Sequence, residues 1–281
     1  MPSTYAHYLF GKKVLAALPD ALASAVRQER ALYDIGLHGP DLLFYYKPLG
    51  SNAVNRIGFG MHAEPAEKFF VSAAEIVKSG TPADAAYAYG FVCHFALDAA
   101  CHSYIENKIR LSGVTHTEIE SEFDRSLLTA EGREPLSAVL TAHILPDEAH
   151  ARVIAPFFGV TPRQAYKALR SMIFYNGLLR APHAPKRALV NLVLKISGNY
   201  KEMHGMMIAK KPNPACEDSN MRLWKLFQKA VPEAAALIGN FAGYVRGECA
   251  LSPAFQETFS FKRDWRTIPV LTPEEERVYE V

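Results

Sequence analysis

Three side chains that can bind a metal ion or move a proton recur at every fourth position of one short stretch: His94, Asp98 and His102. At about 100° per residue, they cover roughly 80° of a single helix face. Their neighbours are oily, with Val92, Phe95, Ala96, Leu97, Ala99 and Ala100 filling the rest of the turns. An unpaired carboxylate costs several kcal/mol in such surroundings, and no Lys or Arg occurs between Lys78 and Lys108 to neutralise Asp98 locally. A divalent cation held by imidazole and carboxylate meets that demand, and the mixture of nitrogen and oxygen donors points to zinc before calcium or magnesium. A structural polar network, in which Asp98 hydrogen-bonds two histidines and a backbone amide, is the alternative that the spacing leaves open.

A second pair of the same chemistry follows. His116 and Glu120 stand one helical turn apart, and fourteen residues separate His102 from His116. Alone, such a pair reads more readily as a solvated helix face, the role expected of Glu118 and Glu122. In chain order, however, His7, Asp41, His62, His94, Asp98, His102, His116 and Glu120 resemble the zinc-dependent phospholipase C family, whose relatives include single-strand nucleases of the same fold. The features that carry the resemblance are the His-xxx-Asp of His94 and Asp98, and a His followed fourteen residues later by His-xxx-Glu. An early His, the Gly39-Pro40-Asp41 triplet and Phe59-Gly60-Met61-His62 complete the order, over roughly the first 125 residues.

The resemblance implies a multi-helix all-α bundle holding two or three zinc ions. Asp41, His62, His94 and Asp98 would hold one, Asp98 would bridge to a second shared with His7, and His102, His116 and Glu120 would hold a third. It further implies a hydrolase that cleaves a phosphodiester, with metal-bound hydroxide as the nucleophile, Asp98 as the bridging carboxylate and Asp41 assisting as general base. Phe59 matches an aromatic of the family's substrate site, and Tyr45 is a second candidate for substrate contact. The sequence also departs from the family: no Trp precedes His7, and Leu42 rather than Tyr follows Asp41, so a choline preference does not carry over. Three readings follow: a phospholipase C-type phosphodiesterase; a catalytically inactive helical binding or structural protein stabilised by metal; and a phosphodiesterase of the single-strand nuclease type. Phospholipid or a soluble phosphodiester would be the substrate, with transient contact at a membrane surface.

The elements that must position these residues are read from periodicity. Apolar residues recur at helical spacing, and alternation at period two never persists for the length of a strand, which predicts an all-α chain. Helices are expected over residues 15–32, 66–78, 84–109, 115–129, 135–145, 149–157, 162–175, 187–196 and 233–246, with a short terminal one opened by Thr272-Pro273-Glu274-Glu275. A long loop is expected from Gly36 to Met61, and its aromatics argue that it is packed. The 281 residues read as one helical domain, with the ligands confined to about 1–125 and a helical wall and C-terminal extension over 126–281. His143, His150, His183 and His204 are assigned to surface or core packing. A formal charge of +2 gives no support for a stable nucleic-acid partner. The absence of a signal-like start or a long apolar run predicts a cytoplasmic protein with no transmembrane segment.

Overall fold

The computed structural model describes residues 4–198 and 200–281. The fold is all-α, as the periodicity predicts. Among the described residues the only pairing of extended backbone is one isolated bridge between Pro65 and Thr258. No helix among them is long and apolar enough to cross a membrane.

The expected helix over 15–32 is instead three short ones: α1 (Thr4–Ala17), α2 (Asp20–Gln28) and α3 (Arg30–Gly36). Pro19, which is extended, breaks the first from the second, and Glu29, at φ −115° and ψ 38°, breaks the second from the third. The long loop expected after Gly36 is also mostly helical. A 3-10 helix runs over Gly39–Tyr45, and α4 (Ala53–Ala63) is opened by a reciprocal cap in which the Asn52 side chain accepts from the Asn55 backbone and the Asn55 side chain from the Asn52 backbone. α5 (Ala66–Ser79) follows.

The central element is α6 (Pro82–Ser112), 31 residues and about 46 Å long. Thr81 and Asp84 cap its start, Pro82 occupies its first turn, and Gly113 ends it in the left-handed conformation at φ 72°. From Ala86 to Asp98 every residue is buried, which explains the near-absence of a polar face there. α6 packs against α3 through glycines: a Cβ on Gly90 would collide with the Tyr33 carbonyl, and one on Gly36 with the Tyr87 carbonyl. The crossing is closer than any side chain permits, and it brings the segment after α3 against His94, one turn beyond Gly90.

α7 (His116–Ala130) starts at a Thr115 cap. No helix forms over 135–145, where the chain runs in turns between Pro135 and Pro146. α8 (Glu148–Phe158), α9 (Pro162–Leu179) and α10 (Ala184–Ile196) follow, and then the short α11 (Tyr200–Met203). α12 (Glu217–Val245) is much longer than the predicted 233–246, because Pro232 sits inside the helix rather than at its start. α13 (Pro273–Val278) ends the chain, its buried Glu276 bonded to Arg222 of α12 at 3.1 Å. The main core spans α1 to α9 and α12. A smaller apolar cluster of Leu179, Ala181, Val190, Leu194 and Met207 lies beneath α10.

Candidate metal centre

α6 presents His94, Asp98 and His102 along one face, as their spacing requires, and four further elements converge on that face. α1 brings His7, whose Nε2 is 3.2 Å from Asp98 Oδ1. The 3-10 helix brings Asp41 and α4 brings His62, with His62 Nε2 3.1 Å from Asp41 Oδ1 and 3.8 Å from Asp98 Oδ2. α7 brings His116 and Glu120, 3.1 Å apart between Nε2 and Oε1. His102 Nε2 stands 3.8 Å from Asp98 Oδ1 and 3.7 Å from Glu120 Oε1. All eight candidate ligands thus meet in one volume, and they fall into three groups whose donor atoms lie within 4.8 Å of one another: His7, His94 and Asp98; Asp41, His62 and His94; His102, His116 and Glu120.

Which imidazole nitrogen faces the centre is fixed by backbone. The Nδ1 of His62 is 2.9 Å from the Gly58 carbonyl, that of His94 3.3 Å from the Leu37 carbonyl, and that of His102 2.7 Å from the Phe259 carbonyl. A carbonyl only accepts, so each Nδ1 carries the proton and, in the neutral ring, each Nε2 turns a lone pair inward. Among the described residues His94 Nε2, fully buried and 3.1 Å from Asp98 Oδ2, makes no hydrogen bond, and His7 Nδ1 has no partner. Lone pairs set against carboxylate oxygens repel unless a proton or a metal ion lies between them. Carbonyl-anchored imidazoles with free Nε2 atoms are the arrangement found around bound metals.

The field of the cluster points the same way. Burial opposes ionisation of Asp98, yet the nearby imidazoles of His102 and His94, and that of His7, hold its carboxyl well below the usual range. Burial likewise opposes protonation of His102, but the Asp98 and Glu120 carboxylates overcome it and raise the ring to about 9. Among the described residues the ion-pair partners of Asp98 are His7, His62, His94 and His102, with no Lys or Arg. A void of about 20 Å³ is bounded in part by His7, Asp98, His102 and Glu120. That exceeds the roughly 10–15 Å³ a water-sized particle needs. Donors around one zinc at about 2.0–2.2 Å stand about 3.3–3.6 Å apart, and the closer pairs here, at 3.1 to 3.8 Å, bracket that spacing. The residues therefore fit a cluster of metal ions.

A cleft of about 310 Å³ opens onto this centre, lined by Phe44, Phe59, His62, His102, Glu106 and His116 together with Thr117, Ser260 and Phe261. Phe59 lines it, 58 % exposed and stacked on Phe44 at 4.1 Å. Tyr45 does not: it is buried, its hydroxyl accepts a hydrogen bond from Asn176 at 3.2 Å, and it lines no part of the cleft. Its position in the 3-10 helix turns it towards α9, a direction that a loop reading could not supply.

Sequence reasoning also missed supporting residues. The Phe259 carbonyl and the Phe261 ring come from beyond residue 250, and no local pattern announces them. His143, assigned to packing, is half-buried with its Nε2 2.7 Å from that of His38 and its ring stacked on Tyr8 at 4.1 Å. Asp124 is the most consequential omission. Its two oxygens accept the backbone N–H groups of Tyr5 at 3.0 Å and Ala6 at 2.8 Å, which seats the first turn of α1 and hence His7. The signal was present, since Asp124 follows Glu120 by one turn.

An all-α fold whose central helix threads imidazoles and carboxylates through its core, supported by four other elements, defines a helical protein with three groups of side chains that could hold metal. The family described as zinc dependent phospholipase C matches residues 6–171, and the chain belongs to it. All eight candidate ligands fall inside the matched span. No curated protein and no solved structure matches the chain.

Proposed function

We propose that the protein is a zinc-dependent phosphodiester hydrolase of the phospholipase C type that releases the phosphorylated headgroup of a phospholipid. The observation that carries this reading is the set of inward-facing Nε2 atoms interleaved with Asp41, Asp98 and Glu120 at the base of an aromatic-walled cleft. His7, Asp41, His62, His94, Asp98, His102, His116 and Glu120 would hold two or three zinc ions, with Asp98 shared. Zinc in such a setting lowers the pKa of water and stabilises charge on a phosphoryl group.

The chain's own groups supply the rest. Asp41, whose Oδ1 is 3.1 Å from His62 Nε2, would take a proton at the centre. His116, at the cleft wall and 38 % exposed, is the most open of the donors. Phe44, Phe59 and Phe261 give the cleft an apolar wall that suits the glycerol and acyl end of a lipid and narrows water access. Stacking platforms of this kind also occur in nucleases, but a formal charge of +2 provides little to track a nucleic-acid backbone.

The test is hydrolysis of phospholipid and of bis(p-nitrophenyl) phosphate by protein whose zinc content has been measured. Zinc-dependent turnover, lowered at least about 10³-fold in Asp98→Asn with loss of bound zinc, supports the reading. Zinc bound at two or more equivalents without turnover of either substrate would make this a metal-stabilised binding protein instead.

A further inference from the structure

α10 carries an apolar face that none of the described residues covers. Its buried side rests on Val190 and Leu194. Leu189, Leu192, Val193 and Ile196, spaced as one stripe about 100° wide, are 61, 54, 52 and 78 % exposed. On the helical wheel Lys186 and Lys195 flank that stripe. Lys195 is exposed, while the Lys186 ammonium bonds the Gly177 and Arg180 carbonyls and ties α10 to the end of α9.

The stretch of sequence that contains α10 is one-sided in charge. From Ala149 to Lys201 the sequence contains nine Lys or Arg and no Asp or Glu, in a chain whose formal charge is only +2. Such a surface repels a second copy of itself and attracts an anionic one. An exposed apolar stripe edged with cations, on a helix unable to span a bilayer, is the form of an interfacial helix.

Its position ties it to the cleft. The segment after α10 turns back onto the start of α7, where a Cβ on Gly205 would collide with the Thr117 hydroxyl. Thr117 and His116 both line the cleft. α10 itself lies beyond residues 6–171, the span matched by the family.

We propose that the exposed face of α10 docks on an anionic phospholipid bilayer and so sets the neighbouring cleft at the headgroup layer. Its role in catalysis rests on the lipid-hydrolase reading; its binding does not. The experiment compares the wild-type protein with the triple variant Leu189→Gln, Leu192→Gln, Ile196→Gln, whose positions are exposed and whose new residues are good helix formers. Flotation with phosphatidylcholine vesicles, with and without phosphatidylglycerol, should show wild-type binding that strengthens with the anionic lipid. It should be weaker by at least about tenfold in the variant, with melting temperature and bis(p-nitrophenyl) phosphate turnover unchanged. Absent wild-type binding to the anionic vesicles, or equal binding by both proteins, overturns the proposal. So does a wild-type dimer in sedimentation that the variant converts to monomer. Vesicle binding lost in the variant, with no hydrolysis of any ester by the wild type, overturns the functional reading and leaves the docking surface standing.

Discussion

The Nδ1 of His102 lies 2.7 Å from the carbonyl oxygen of Phe259, a residue 157 positions away. That bond selects the tautomer that turns Nε2 towards Asp98 and Glu120, so the C-terminal extension takes part in the centre without contributing a ligand. The Phe259 ring holds the carbonyl in place: it is buried among His62, His94, Phe91 and Phe95, with centroids 5.3 to 6.0 Å away.

Phe259→Ala should therefore cost both stability and metal. Truncating a fully packed Phe removes about 3–5 kcal/mol, and loosening the carbonyl should lower zinc affinity at the His102 group by about 10–100-fold. Denaturant unfolding and zinc competition with a chromophoric chelator measure the two effects. A destabilised variant with wild-type zinc affinity would show that the extension only packs.

Gly39 makes a comparable contribution to His94. Its φ is 46°, and a Cβ there would strike the His94 ring. Gly39→Ala should cost about 1–3 kcal/mol from backbone strain and displace the ring from the Leu37 carbonyl that orients it. Zinc content should fall while helicity by circular dichroism is kept. Gly50→Ala, where nothing lies within 4 Å, is the matched control and should leave both properties unchanged.

These two supports mark where sequence reading reaches its limit. The shared face of His94, Asp98 and His102 was legible because helical period converts spacing into a stripe, and burial of an acid among apolar residues implies a counter-charge. The pairing of His102 with His116 and Glu120 was legible through the family's spacing. Phe259 was not, because a backbone carbonyl acts whatever side chain it bears. Tyr45 was misplaced because Gly36 to Met61 was read as loop, whereas a 3-10 helix gives successive aromatics different directions. The Leu15–Leu32 reading failed because apolar period continued through Pro19 and Glu29, where the backbone turns.

Acid should unfold the protein partly through a pair lying outside the ligand set. His143 is lowered from 6.5 to about 3 by burial, with Arg30 adding to the effect. Its bond to His38 Nε2 at 2.7 Å requires a lone pair on one of the two rings. A depressed imidazole means that the folded state binds fewer protons than the unfolded one. Stability from this group is complete above pH 6.5 and falls as pH drops towards 3, with a limiting slope of about 1.4 kcal/mol per pH unit. His143→Gln keeps a hydrogen-bonding partner for His38 but does not titrate. The stability difference between wild type and variant should accordingly shrink as pH is lowered below about 6, measured by urea unfolding at several pH values. A difference independent of pH would show that His143 takes up its proton over the same pH range in the folded and unfolded states.

Zinc uptake should release protons. In the metal-free protein the Asp98 and Glu120 carboxylates outweigh burial and hold His102 protonated up to about 9, and His94 is raised in the same way by Asp98. Because Nδ1 of each ring is committed to a carbonyl, the extra proton sits on Nε2, the atom a metal would need. Zinc binding at about pH 7.5 must expel it, so at least about one proton should leave per protein, and the number should decline as pH rises past about 9. Calorimetric titration of chelator-stripped protein in buffers of different ionisation enthalpy counts these protons directly. Zinc binding that releases none would place the ion away from His94 and His102, and with it the centre built on α6.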